Sequence, residues 1–334
     1  MKRLWTPDTF KADKLTHTTK IHRLYLCAVI WPTPLERGAK IALVAASRRV
    51  TPAEVRPFLN LAHLQGWKVE YDSPALFAQE GLLAGPDKQR LAVLQQALDD
   101  PSLRAIWFAR GGHGSSRLWP QLNWTGFKKQ PKWLIGFSDV TPFLWGAVKT
   151  GVCALHGPVA AYLPHRTHIE AVNRCLDILR SPKPTYTLSW PRQPWYAWQK
   201  GKAQAPLLGG NLTLLQTLCG TSLDLRTWAT PPILFWEEVG EYLYRLDRMS
   251  WHLHNAGWYA YSEAVLIGEL TLLRDEEETP FGRSPSEIIA ESTDTHGPLL
   301  MGLPVGHSQR NWPLVLGALH EIEATDHAAT LSLI

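Results

Sequence analysis

Cysteine is scarce in this sequence: Cys27, Cys153, Cys175 and Cys219 are the four present, and no two stand in C-x-x-C spacing. That argues against a zinc site and against a disulfide framework, and it suits a reducing compartment. No run of basic residues is long enough to track a phosphate backbone. With 34 basic against 30 acidic side chains the net charge is only +4, so nucleic acid is not the expected partner. Long hydrophobic runs are missing as well. In the opening segment the only apolar stretch is residues 24–31, LYLCAVIW. It is too short for a membrane span of ~20 apolar residues and too far behind the first charges for a secretory signal. Residues 1–31 therefore read as an extension or a misplaced start, and the protein is expected in the cytoplasm with no membrane partner. No segment repeats at a fixed period either. The 16 Trp scatter along the chain, which suits core and cleft walls better than a repeat fold.

What is present is the make-up of a globular chain, 45% hydrophobic and 19% charged over 334 residues, a length that suits two domains. From Gly38 onward the pattern is regular. Residues 40–46 (KIALVAA) form a buried-type strand, and residues 51–65 form an amphipathic helix with Thr51-Pro52 at its start and Gly66 at its end. A strand at 67–71, a helix at 88–99 and strands at 105–109 and 133–137 follow, with another helix beginning near Thr141. This alternation predicts an α/β chain whose N-terminal part is a flavodoxin-like or Rossmann-like parallel sheet with helices on both faces. Ligands of such sheets sit beyond the carboxyl ends of the strands. The expected domains are 32–165 and 206–334. Residues 166–205 make a linker within a Pro- and Trp-rich crossing segment of weak periodicity, 162–205. The acidic run Asp275 to Glu278 reads as a solvated loop.

Two strand ends carry unusual sequences: RGGHGSSRL, residues 110–118, and SDVT, residues 138–141. The glycines of the first can let backbone N–H groups converge on a developing negative charge, but a lone turn of this kind also reads simply as a tight loop. Ser138, taken alone before a Thr-Pro helix start, reads first as an N-cap. Its elbow lacks the second Gly of G-x-S-x-G. Glu237 and Glu238 end the apolar strand ILFWEE, and His307 follows another apolar stretch, although any one of 13 His taken alone reads as structural. Together, Ser138, Glu237 and His307 each stand at the end of an apolar strand. That is permissive for a nucleophile, an orienting carboxylate and a base.

The segments PTPLERGAKIALVA, ARGGHGSSRL, IGFSDVT, LLGGNLTLLQTLCGT, ILFWEEVGEYLYRLDRM and GLPVGHSQRNWPLVLGA resemble, in order and spacing, the serine LD-carboxypeptidase family. That family includes muramoyltetrapeptide carboxypeptidases and microcin C self-immunity peptidases. The resemblance covers roughly residues 32–334. It implies Ser138 as nucleophile, Glu237 as orienting acid and His307 as base. It also implies an oxyanion hole from the backbone N–H groups of Gly112 and Asp139, which leaves the Asp139 carboxylate to cap the following helix. The site would lie in a cleft between the parallel-sheet domain and a C-terminal mixed α/β domain, commonly in a homodimer, with no metal or other cofactor. Two departures stand out: His113 where many relatives have Tyr, and Ala-Ala-Ser after the first strand where Ala-Pro-Ser is usual.

The implied substrate is a murein tetrapeptide, cut between its L-centred diamino acid and the terminal D-Ala. The alternative within the family is hydrolysis of a microcin-like aminoacyl-nucleotide, whose base would need an aromatic partner. A ligand-binding protein that kept the fold without the triad would have lost Ser, Glu or His. A generic α/β-hydrolase would show the second elbow glycine. An exopeptidase must also grip a terminal carboxylate, which a guanidinium fork suits. Arg110, Arg117, Asn211 and Arg245 are the candidates, with Arg248 one turn beyond Arg245. Surface pairing with Glu241 or Asp247 accounts equally well for Arg245 and Arg248.

Overall fold

The computed structural model describes residues 29–163 and 167–334, so the expected N-terminal extension and Cys27 lie outside the described residues, save its last three positions. Strands β1 (Lys40–Val44), β2 (Lys68–Glu70), β3 (Ala105–Phe108), β4 (Trp133–Gly136) and β5 (Ala154–His156) run parallel in the order 2-1-3-4-5. The inner strands are almost wholly buried and apolar because both faces of the sheet are covered. Alternate residues serve different cores. Ala42, Val44, Ile106, Phe108 and Leu134 face one way, and Ile41, Leu43, Trp107, Trp133 and Ile135 the other.

Helix α1 (Pro52–Gln65) begins on a Thr51–Glu54 capping box and ends on Gly66 in the left-handed conformation. Its Val55, Phe58 and Ala62 join the second core. Helices α2 (Asp87–Asp99) and α3 (Thr141–Lys149) pack against the first, through Leu94, Leu98, Phe143 and Leu144.

The stretch 162–205 departs from expectation. It holds a helix, α4 (Ile169–Arg180), whose Val172, Cys175, Leu176 and Leu179 pack under the first sheet. It also holds β6 (Tyr186–Pro191), β7 (Trp198–Gln199) and the start of β8 (Gly201–Asn211). Prolines and tryptophans dominate the composition of the stretch and mask the short amphipathic helix inside it.

The second sheet continues with β9 (Ile233–Val239), β10 (Ala264–Thr271) and β11 (Leu299–Met301), which run parallel with β8. One more strand, β12 (Leu314–Leu316), returns to the first sheet and pairs antiparallel with β5. Strands β13 (Leu319–Ala324) and β14 (Ala328–Leu333) then extend the second sheet to eight strands, ordered 6-14-13-8-9-10-11-7. The first core runs on without a break into Leu207, Phe235, Trp236 and Ile267 of this sheet. Helix α5 (Leu212–Gln216) follows β8, α6 (Leu243–Asn255) follows β9, and α7 (Pro285–Ser292) stands between β10 and β11. Among the described residues no helix is long and apolar enough to cross a membrane.

Candidate active site

The segment after β4 forms a strained turn. Ser138 has φ +63°, and among the described residues it shares a positive φ with only one other non-glycine, Leu272. Such a backbone costs about 1–3 kcal/mol and persists only when its surroundings impose it. Here the Thr141 hydroxyl donates to the Ser138 carbonyl at 2.7 Å, and Thr141 Oγ1 itself accepts from the Asn211 N–H at 3.2 Å. Gly111, from the end of β3, presses against the turn. A Cβ there would lie 2.9 Å from Ser138 Cβ and 3.1 Å from its Oγ. The close approach that a second elbow glycine serves elsewhere is met here from the neighbouring strand.

Asp139 does not cap the helix as expected. Its carboxylate accepts from the Ser115 N–H and from the Ser115 hydroxyl, both at 3.0 Å, and so ties the glycine turn to the elbow. Burial pushes the Asp139 carboxyl up, against the hydrogen bonds from Ser115 that favour its charged form. Its backbone N–H is left at the first turn, one residue past Ser138. On the other side, the Gly111 carbonyl accepts from the Arg48 N–H at 3.2 Å. The N–H of Gly112, on the far side of that same planar peptide, therefore points away from Arg48.

Glu237 and His307 reach Ser138 from the second sheet. Glu237 lies on β9, fully buried, and its Oε2 is 2.7 Å from His307 Nδ1. His307 Nε2 is 3.0 Å from Ser138 Oγ. A carboxylate oxygen can only accept, so Nδ1 carries the proton and Nε2 of the neutral ring is free to accept from the serine hydroxyl. Burial by itself would lower the His307 pKa. The charge and hydrogen bond of Glu237 outweigh it, and the pKa is raised. The Phe137 ring packs 4.8 Å from the imidazole. The geometry brings Ser138, Glu237 and His307 into one continuous relay.

The second carboxylate of ILFWEE points the other way, as strand alternation requires. Glu238 accepts from Asn211 Nδ2 at 2.9 Å and from the Val239 N–H, the Thr213 N–H and the Thr213 hydroxyl at 2.8 Å each. Burial, with Glu237 next to it, pushes its carboxyl up. Its lone pairs are committed to holding the start of α5, and Asn211, the cap of that helix, is committed with it.

The remaining residues singled out from sequence stand apart from the relay. Arg110 pairs with Glu54, and the exposed Arg117 pairs with Asp87 at 3.3 Å. Arg245 lies 3.7 Å from Glu241 and stacks over Tyr242 and Tyr244. Two supporting residues escaped the sequence reading. Ser115 is one, and buried Arg90 is the other; it donates to the carbonyls of Ala46, Gly85 and Gly114 and so braces the glycine turn. Arg90 lies on the stripe of Leu94, Ala97 and Leu98 in α2, and a charge on an apolar stripe was the signal available. Among the described residues no group of three or more His, Cys, Asp or Glu is arranged to hold a metal ion.

The model of the LD-carboxypeptidase N-terminal domain matches residues 41–157, and that of the LD-carboxypeptidase C-terminal domain matches residues 204–322. A putative carboxypeptidase of Synechocystis, slr1534, is 32% identical over 311 residues, 91% of this chain and 97% of its own length. The murein tetrapeptide carboxypeptidase of Pseudomonas aeruginosa is 31% identical over 291 residues, 82% of this chain and 90% of its own. The crystal structure of muramoyltetrapeptide carboxypeptidase from Oxalobacter formigenes superposes with a TM-score of 0.76 at 21% identity, covering 88% of this chain and 98% of that one. The microcin C7 self immunity protein MccF in complex with aspartyl sulfamoyl adenosine gives 0.78 at 21%, covering 91% and 99%.

Proposed function

The chain belongs to the LD-carboxypeptidase family and is a serine-type carboxypeptidase, and from that premise we propose that it removes the terminal D-Ala from murein tetrapeptide in the cytoplasm, during cell-wall recycling, by a Ser138-His307-Glu237 triad. The observation that carries the chemistry is the unbroken relay, Glu237 to His307 at 2.7 Å and His307 to Ser138 at 3.0 Å. The substrate class rests on the relationship to the P. aeruginosa murein tetrapeptide carboxypeptidase.

Ser138 Oγ attacks the carbonyl carbon of the L-centred residue while its proton passes to His307 Nε2. Glu237 holds the ring through Nδ1–H and stabilises the imidazolium that forms. The carbonyl oxygen, now negative, takes hydrogen bonds from the N–H groups of Gly112 and Asp139. Removing one such donor typically costs on the order of 10²–10³ in rate. The C–N bond then breaks, and the Nε2 proton goes to the departing amine of D-Ala. A water attacks the acyl ester, gives its proton to His307, and releases the shortened peptide as a carboxylate with Ser138 restored.

Incubation of the protein with purified murein tetrapeptide, followed by mass spectrometry, should show the loss of one D-Ala. Ser138→Ala should abolish it. Turnover that survives the substitution removes Ser138 from its role. A second reading, hydrolysis of aminoacyl-nucleotides, is favoured by the exposed Trp195, which borders a cavity of about 440 Å³ together with Glu269 and Arg310 and offers a face for a base. Cleavage of an aminoacyl-sulfamoyl nucleotide by a protein that ignores the tetrapeptide would favour that reading instead. The family resemblance also leads us to expect a homodimer, which sedimentation equilibrium tests.

A further inference from the structure

A carboxypeptidase binds the free carboxylate at the end of its substrate, and a guanidinium is its natural partner. The arginines nearest the glycine turn in sequence are already engaged. Arg110 holds Glu54, whose other oxygen is taken by Thr51, and Arg117 holds Asp87. Arg245 is paired with Glu241, and Arg248 lies over the Tyr244 ring.

Arg48 is placed differently. It follows the end of β1, and its N–H bonds the Gly111 carbonyl at the end of β3. In a sheet ordered 2-1-3-4-5 the crevice opens between strands β1 and β3, where the order of connection reverses, and ligands bind there. The side chain runs along Gly112: a Cβ on that glycine would lie 2.6 Å from Arg48 Cβ and 3.3 Å from Cδ. On the other side, a Cβ on Gly111 would lie 3.1 Å from Ser138 Oγ. Of these two adjacent glycines, Gly111 thus packs against the nucleophile and Gly112 against the Arg48 stem. Both Arg48 and Gly112 are exposed, and the Arg48 guanidinium has no ion pair or hydrogen bond among the described residues.

We propose that Arg48 binds the terminal carboxylate of the departing D-amino acid and is a specificity-determining residue of this site. The proposal rests on the LD-carboxypeptidase reading of the relay. With the scissile oxygen held by Gly112 N–H, a terminal carboxylate next to the glycine turn comes within reach of a cation anchored on Gly112. An uncharged carboxamide in the same place forfeits the charge-assisted part of that contact, worth about 10–100-fold at a solvent-reachable site.

The test measures kcat/KM on murein tetrapeptide and on the same peptide ending in D-alanine amide. Wild type should prefer the acid by about 10–100-fold. Arg48→Met should erase that preference, mainly by slowing the acid, and Arg48→Lys should restore part of it. Thermal melting should be little changed in both variants, since the side chain is exposed. A structural defect would slow both substrates in proportion and keep the ratio. A wild type indifferent to the amide, or an Arg48→Met that keeps the preference, overturns the role of Arg48 while the murein reading stands. A wild type that cuts neither peptide overturns the murein reading itself, and the ligand assigned to Arg48 goes with it.

Discussion

In the proposed mechanism His307 has to be neutral to accept the Ser138 proton, so whatever raises its pKa sets the acid limb of activity. The Glu237 carboxylate does so in spite of burial. The sign follows: the protonated ring persists to higher pH than an ordinary histidine, whose pKa is about 6.5, and activity is lost as pH falls through the raised value. In a pH profile of kcat/KM the acid limb should therefore lie above that ordinary value. Glu237→Gln keeps the shape and removes the charge. It should move the limb to lower pH and lower the plateau on the order of 10⁴-fold, the size seen when a triad carboxylate becomes an amide. A limb that stays in place would mean that Glu237 does not control the imidazole. The three relay residues could be named from the sequence because each sits in a short segment that resembles the family, while their places after apolar strands were only permissive. Their supports could not. Arg90 bonds a carbonyl 44 residues away and Ser115 a carboxylate 24 away, and no local pattern specifies such pairings.

At the scale of elements, local chemistry was readable wherever it was self-contained. Thr51-Pro52 and Gly66 mark both ends of α1 because helix starts and stops are signalled by residues within a few positions. Helix α2 shows the opposite case. No glycine follows Asp99, and its C-terminal end is closed from outside by Lys132, whose ammonium donates to the carbonyls of Ala97 at 3.1 Å, Leu98 at 3.0 Å and Asp100. Burial pushes that ammonium down to about 8, which still leaves it mostly charged at neutral pH, where it complements the negative end of the helix. Nothing near Lys132 in sequence announces the role, since its partners lie 32–35 residues upstream. Lys132→Met should leave those carbonyls without their shared donor. It should destabilise the protein by about 1–3 kcal/mol, read as a lower denaturation midpoint with an unchanged slope. An unchanged midpoint would make the cap dispensable.

Across the whole molecule, the relay is divided between two sheets. Ser138 stands after β4, while Glu237 and His307 come from the second sheet and its loops, so their 3.0 Å contact depends on how the sheets are held together. Strand β12 contributes by crossing back to pair with β5, a long-range exchange that periodicity does not reveal. The tighter link is at β8. Trp145 of α3 donates to the Gly209 carbonyl at 2.9 Å, and the Asn211 N–H donates to Thr141 Oγ1. Between them Gly210, at φ +149°, lets the strand lie against the start of α3: a Cβ there would stand 2.4 Å from Thr141 Oγ1 and 2.5 Å from its Cγ2. Thr141 is buried and cannot swing aside, and its hydroxyl holds the Ser138 carbonyl. In Gly210→Ala the strand or the elbow must yield, and either movement pulls His307 away from Ser138. Overpacking of this kind costs about 1–3 kcal/mol, while a shift on the order of 1 Å at a reacting pair can cost 10²-fold in rate. The variant should therefore melt moderately lower yet lose kcat far more than the melting change implies. Labelling of Ser138 by a phosphonate probe should slow in step with kcat, because the same proton transfer to His307 drives both. A variant that melts lower but keeps its kcat and its labelling rate would show that the sheets can part without disturbing the relay.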